Sequence, residues 1–259
     1  RPYLRLDEDW VLDAGANEDS RLVLDGLWLG ARTAASVVLR GNYEQVSLRQ
    51  VTLDPGGART HDEGSDALPA VSLVVEGYVD RLLIESSIAG RIRIGDDGYV
   101  EKAVIRDCIV QNRDHSVPAV RLPDCELQLE RVTVMGDVQS QCLWATDSLV
   151  VGYGDIKNTQ CGCFRFSAAR DEGASRLPRP FRPVWIDKPN LLFTSTRFGD
   201  PGFMQLGENA PRAVVRGAEN GAEMGAHNRL INPIKLDGLR AKVEEYMPFG
   251  LLPVYIFET

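Results

Sequence analysis

Short apolar runs, broken at nearly fixed intervals, dominate the first two thirds of the chain. Six segments superpose: Leu24 to Leu29 (LDGLWL), Leu48 to Leu53 (LRQVTL), Ile84 to Ala89 (IESSIA), Ile105 to Val110 (IRDCIV), Leu129 to Val134 (LERVTV) and Ala145 to Val150 (ATDSLV). Each starts with an apolar residue, carries one or two mostly polar ones and returns to a small or apolar residue three places on. The starts lie 24 (24 to 48), 36 (48 to 84), 21 (84 to 105), 24 (105 to 129) and 16 (129 to 145) residues apart. The long interval contains GGARTHDEGSDA, residues 56–67, which is rich in glycine and charge, lacks periodicity and reads as a loop inserted into one coil. Strands recurring this often, with connections too short for crossover helices, cannot form a doubly wound sheet. Stacking them in parallel, one coil on the next, solves the geometry. The pattern predicts an all-β fold, a right-handed parallel β-helix spanning residues 22–167.

Further columns support this register. Val46, Leu82, Ala103, Leu127 and Leu143 stand two residues before the starts and form a second inward line. Gly41, Gly77 and Gly98 precede three starts by seven residues and are followed by Tyr43, Tyr78 and Tyr99. Glycine at a fixed coil position suits a tight corner with an unusual backbone angle. Asp25, Arg49, Glu85, Arg106 and Glu130 follow the starts and alternate in sign, which is attractive between neighbouring coils.

Outside the repeat, residues 1–21 are the candidate cap that a stacked fold needs at an exposed end. Residues 168–190, rich in Arg, Pro and Gly, read as an excursion that leaves the ladder. A strand-like run at Leu191 to Thr196 and a turn at 199–202 follow. The quasi-repeat GAENGAEMGAHN, 217–228, is either a glycine-faced helix or an irregular loop. A better helix is predicted from Leu236 to Met247, with Leu239, Val243 and Tyr246 on one face and Pro248 ending it. Leu251 to Phe257 reads as a final strand.

Charge narrows the partners. A formal charge of -8, with no basic block, argues against nucleic acid and against an anionic membrane surface. No apolar run reaches the ~18 residues of a membrane span, and the opening Arg1-Pro2-Tyr3-Leu4 lacks a signal-peptide layout. Cys108, Cys125, Cys142, Cys161 and Cys163 are expected mostly as buried thiols. Cys161-Gly162-Cys163 is too tightly spaced for a zinc knuckle. No cofactor is expected.

Catalysis on such a scaffold would need two carboxylates flanking a glycosidic bond, or a cation with a base. The third repeat position reads Gly26, Gln50, Ser86, Asp107, Arg131, Asp147. Asp107, Arg131 and Asp147, on consecutive coils, are the candidate catalytic set. A position facing solvent also gathers charge for no catalytic reason. Glu219, Glu223 and His227, spaced by four, would align on a helix as weak metal-ligand candidates. His61, Asp62 and Glu63 fall in the inserted loop and are not taken as a site. No Ser-His-Asp pattern or phosphate-binding glycine loop is present.

The segments CFRFS (163–167), FTSTRFGDPGFMQL (193–206), GAENGAEMGAHN and LRAKVEEYMPFGLLPVYIF (239–257) resemble the C-terminal region of a group of largely uncharacterised bacterial β-helix proteins. That group is associated with gene clusters for phage-tail-like contractile injection machinery. The chain departs from the group's pattern at His227, where an aromatic residue is usual, which favours a packing role there. The resemblance implies an accessory or particle-associated protein of the bacterial cytoplasm or a released particle, and carries no established catalytic residues. The expected function is a non-catalytic module displaying loops to a protein or glycan partner; the alternative is a polysaccharide lyase or glycoside hydrolase with a groove along the coils.

Overall fold

The computed structural model describes residues 1–16, 19–58, 67–170, 173–251 and 253. Parallel strands dominate. One nine-stranded sheet runs through Tyr3–Leu6, Trp28–Ala31, Thr52–Leu53, Ile88–Ala89, Ile109–Gln111, Thr133–Met135, Leu149–Val150, Ala168–Arg170 and Val184–Ile186. A thirteen-stranded sheet holds two further parallel series, one starting at Trp10–Asp13 and the other at Arg21–Asp25. The long strands Val120–Glu130 and Val138–Thr146 belong to both series and join them. Successive passes of the chain therefore lie on one another, solenoid-like.

The predicted register is the observed one. Leu24, Leu48, Ile84, Ile105, Leu129 and Ala145 are consecutive partners, and Phe164 continues the column. Val46, Leu82, Ala103, Leu127 and Leu143 form the neighbouring column, all fully buried. Burying one of these leucines contributes about 1.5–3 kcal/mol, and the columns are the continuous core of the stack. The loop expected at 56–67 leaves and returns through an antiparallel bridge between Gly57 and Leu68; residues 59–66 lie outside the described residues.

Two boundaries and one column differ from expectation. Residues 1–21, expected as a cap, carry regular strands: Tyr3–Leu6 and Trp10–Asp13 pair in register with Trp28–Ala31 and Val37–Arg40. The stack also continues past residue 167, through Ala168–Arg170, Pro180–Phe181 and Val184–Ile186. These last strands are only two or three residues long, so the prolines fall at strand starts and in links, where a missing amide costs no ladder bond. The tyrosines are out of line by one residue. Tyr78 pairs with Tyr99 and their rings stack at 5.1 Å, whereas Tyr43 opposes Val79 and is buried with its hydroxyl donating to the Leu12 carbonyl. Of the three glycines in that column only Gly41 is left-handed, at φ +81°; a Cβ on Gly77 or Gly98 would strike backbone oxygen of the preceding pass.

The unusual backbone angle belongs to the third repeat position instead. Gly26, Gln50, Ser86, Asp107, Arg131, Asp147, Phe166 and Arg182 all have φ between 46° and 69°. A left-handed residue costs a non-glycine side chain roughly 1–2 kcal/mol, and each is held by its neighbour. From Gly26 to Phe166, the amide donates to the carbonyl of the residue after the start in the following pass, at 3.0–3.3 Å. The bend strands the next amide, and a side chain supplies its acceptor. Val51 N–H donates to Ser87 Oγ, Ser87 to Cys108 Sγ, Val132 to Ser148 Oγ and Ser148 to Ser167 Oγ. Each of these hydroxyls or thiols in turn donates to the carbonyl two residues before it. At Ser87, Cys108, Ser148 and Ser167 the residue three places after the start is thus small for a reason: it is a buried corner rung.

One cysteine expectation is corrected. Cys108 and Cys125 are buried thiols, their pKa values pushed up to about 12 by burial, but Cys142 and Cys161 form a disulfide. They come together because Leu143 pairs with Gly162, so the cysteines beside them face each other across adjacent passes. Cys163 is half-buried and free.

Ser148→Ala removes the acceptor of a buried amide and is expected to cost about 1–3 kcal/mol in urea denaturation. Ser148→Cys, which reproduces the arrangement at Cys108, should lose less.

Candidate functional site

The corner column places Asp107 and Arg131 side by side. Each is left-handed, so its side chain projects outwards at the bend, one pass from the next. Arg131 Nε and Nη2 donate to Asp107 Oδ1 and Oδ2 at 2.6 and 3.1 Å, a two-pronged pair, and Nη1 also reaches Glu130. The Asp107 bond is the main cause that raises the Arg131 pKa. Arg229, from the C-terminal segment, meets Asp107 Oδ2 at 3.0 Å. Beside them runs the alternating column foreseen from sequence: Arg49 to Glu85 at 3.7 Å, Glu85 to Arg106 at 3.7 Å and Arg106 to Glu130 at 2.9 Å. Together Glu85, Ser86, Arg106, Asp107, Glu130, Arg131 and Arg229 line a polar depression of about 470 Å³. Three carboxylates and three guanidiniums balance there, and Asp107 holds two of the cations.

Asp147, the third member of the predicted set, does something else. Its side chain accepts the Glu219 amide at 2.7 Å and its carbonyl accepts the Gly225 amide at 2.8 Å. Burial raises its pKa, opposed by the bond from Glu219. Asp147 is the point at which the segment 217–228 is clasped to the stack. Ala226 N–H adds a bond to Thr133 Oγ1, and Arg165 pairs with Glu219.

The second predicted set is not brought together. Residues 217–227 run as turns between α1 (Arg212–Val215) and a 3-10 turn at Asn228–Leu230, so the spacing of four does not align Glu219, Glu223 and His227 on one face. Gly221 and Gly225, at φ +74° and +103°, break any helix. Glu223 is buried and takes a bond from Asn232 Nδ2 at 3.1 Å; burial drives its pKa up to about 7. His227 Nε2 lies 3.3 Å from the Phe203 carbonyl, and burial lowers its pKa. Among the described residues no group of three or more His, Cys, Asp or Glu could hold a metal. His61, Asp62 and Glu63 lie outside the described residues.

The quasi-repeat thus serves packing. Leu149, Ala168 and Ile186 of the nine-stranded sheet, with Val151 just past a strand end, form a second core with Leu192, Val214, Ala218 and Met224. Gln111 Nε2 donates to the Thr196 carbonyl, and Phe198 meets Trp28 edge-on. The run predicted as a strand at 191–196 makes only isolated bridges, Phe193 to Leu206 and Ser195 to Phe203. Beyond it α2 spans Asn232–Tyr246, four residues earlier than predicted because Pro233 suits a first turn. Its expected apolar face is not buried: Leu239 is 48% and Tyr246 81% exposed. The expected final strand lies almost wholly outside the described residues. No described helix is long and apolar enough to cross a membrane. No family model, curated protein or solved structure matches the chain.

Because the folded pKa of Glu223 exceeds its ordinary value of 4.5, the folded state binds the proton more tightly than the unfolded chain does. Its contribution therefore falls as pH rises from 4.5 towards 7, by on the order of 3 kcal/mol. Glu223→Gln should flatten that decline in denaturant titrations across this range; parallel curves for the two proteins would refute it. At Asp147, Asn keeps an acceptor and tolerates the left-handed backbone, whereas Ala does neither. Asp147→Ala should lose about 2 kcal/mol and admit protease cleavage within 187–231, with Asp147→Asn close to wild type.

Proposed function

We propose that the chain is a right-handed parallel β-helix acting as a non-catalytic structural and interaction module, an accessory part of a phage-tail-like assembly with a protein or glycan partner. The single observation carrying this reading is the fate of the best catalytic candidates. Asp107 is held between Arg131 and Arg229, and Asp147 fastens the C-terminal segment, so neither carboxylate is offered to a substrate. General acid–base chemistry on a glycosidic bond needs carboxylates within reach of the scissile oxygen and of water. The right hand follows the general preference of strand crossovers in a parallel sheet. Ile234, Leu239, Tyr246, Phe249 and Leu251 leave apolar area around α2, which favours a protein partner.

The reading is tested by sedimenting contractile particles from the native host and probing the fractions with an antibody to this chain. Co-sedimentation with sheath and tube proteins is expected; recovery only as free monomer in the supernatant counts against an assembly role. Release of unsaturated or reducing sugar ends from a polysaccharide panel, lost in Asp107→Asn, would replace it with the lyase or hydrolase reading.

A further inference from the structure

On the face of the stack formed by the first halves of the long strands, two arginines oppose each other. Ile92 pairs with Val120 and Arg93 with Arg121, in parallel register. Ile92 and Val120 point into the core, fully buried. Side chains alternate along a strand, so Arg91 and Arg93 flank Ile92 on the outer face, and Arg121 joins them one pass on. Neighbouring strands are about 4.8 Å apart. Like charges directly opposite at that spacing destabilise a sheet.

Other cations on the outer columns meet a carboxylate. Arg40 meets Glu76, Arg49 meets Glu85, Lys102 meets Glu126 and Arg106 meets Glu130. Arg81 does oppose Lys102, but Lys102 turns to Glu126 at 2.7 Å. Among the described residues the arginine pair has no such relief. Arg93 is flanked on its other side by Val74, and Arg121 by Gln139. Among the described residues no carboxylate forms an ion pair with Arg91, Arg93 or Arg121. The nearby Asp114 is held by the Ser116 amide and hydroxyl, at 3.0 and 2.5 Å. Arg91 is fixed by its Nε–H bond to the Pro118 carbonyl at 3.0 Å. Burial, then Arg93 and Arg121, lower its pKa, but a guanidinium remains charged.

We propose that Arg91, Arg93 and Arg121 form a binding site for an oxyanion group, a phosphate, sulfate or carboxylate, borne by a free ion or by an acidic glycan. Guanidinium forks match such groups with paired hydrogen bonds, and an anion between the passes converts the repulsion into attraction for both. The site needs no contact with α2 or the corner clasp, so it stands apart from the assembly role proposed above.

The full chain is titrated calorimetrically with inorganic phosphate, with sulfate and with a polyuronate oligosaccharide, in chloride buffer of matched ionic strength. Binding is expected, weakened at least ~10-fold in Arg93→Gln and in Arg121→Gln. In chloride alone both variants should melt no lower than wild type, since they remove a repulsion; a purely structural pair would lower the melting temperature. Binding of the inorganic ions supports a free-ion ligand, and binding of the oligosaccharide alone supports an acidic glycan. The proposal fails if none of the three binds wild type, or if both glutamine variants bind as well as wild type.

Discussion

The fold depends on the left-handed corner. At the third repeat position the backbone turns through φ near +50°, and two consecutive amides are directed along the stack. Neither amide finds a partner within its own pass, and a buried orphan amide costs about 1–3 kcal/mol. The first is satisfied by a carbonyl of the following pass and, at four positions, the second by a serine or cysteine side chain there. Each pass therefore completes the hydrogen bonding of the one before it. Strain at each corner is offset only in the stack, so stability is a property of neighbouring pairs rather than of single passes.

The same corner separates the two faces of the molecule's chemistry. Side chains at the bend project outwards and are closely spaced from pass to pass, so their charges pair: Asp107 with Arg131, and beside them the column from Arg49 to Glu130. Asp147 sits at an equivalent corner yet turns to the C-terminal segment, because there the chain returns over the nine-stranded sheet and brings the Glu219 and Gly225 amides to it. That return covers outward apolar residues such as Leu149 and Val151, giving this part of the sheet two buried faces. Two glycines of 217–228 are there for fit: a Cβ on Gly225 would meet Thr133 Oγ1 at 2.4 Å, and one on Gly217 would meet the Ala213 carbonyl.

Charge pairing across passes also gives the arginine patch its meaning. A scaffold that matches Arg40, Arg49, Lys102 and Arg106 with carboxylates has the geometry to match Arg93 as well, with a substitution at Arg121. It instead sets guanidinium against guanidinium, on a chain of formal charge -8.

The amino-acid sequence by itself determined the parallel stacking, the register of the two inward columns and the alternating charges, because a repeat imposes the same burial on the same position in every pass. Leu48, Ile84 and Ile105 are identifiable as partners without coordinates for that reason. Position alone did not reveal the left-handed corner, since Gln50, Ser86, Asp107 and Arg131 share no side-chain chemistry and only their backbone is alike. The disulfide between Cys142 and Cys161, the division of Asp107 from Asp147 and the burial of Glu223 were decided by tertiary structure. Each rests on segments far apart in the chain meeting: a neighbouring pass for the cysteines, and the returning C-terminal segment for the carboxylates. Contacts of that kind leave no period in the sequence, because they occur once.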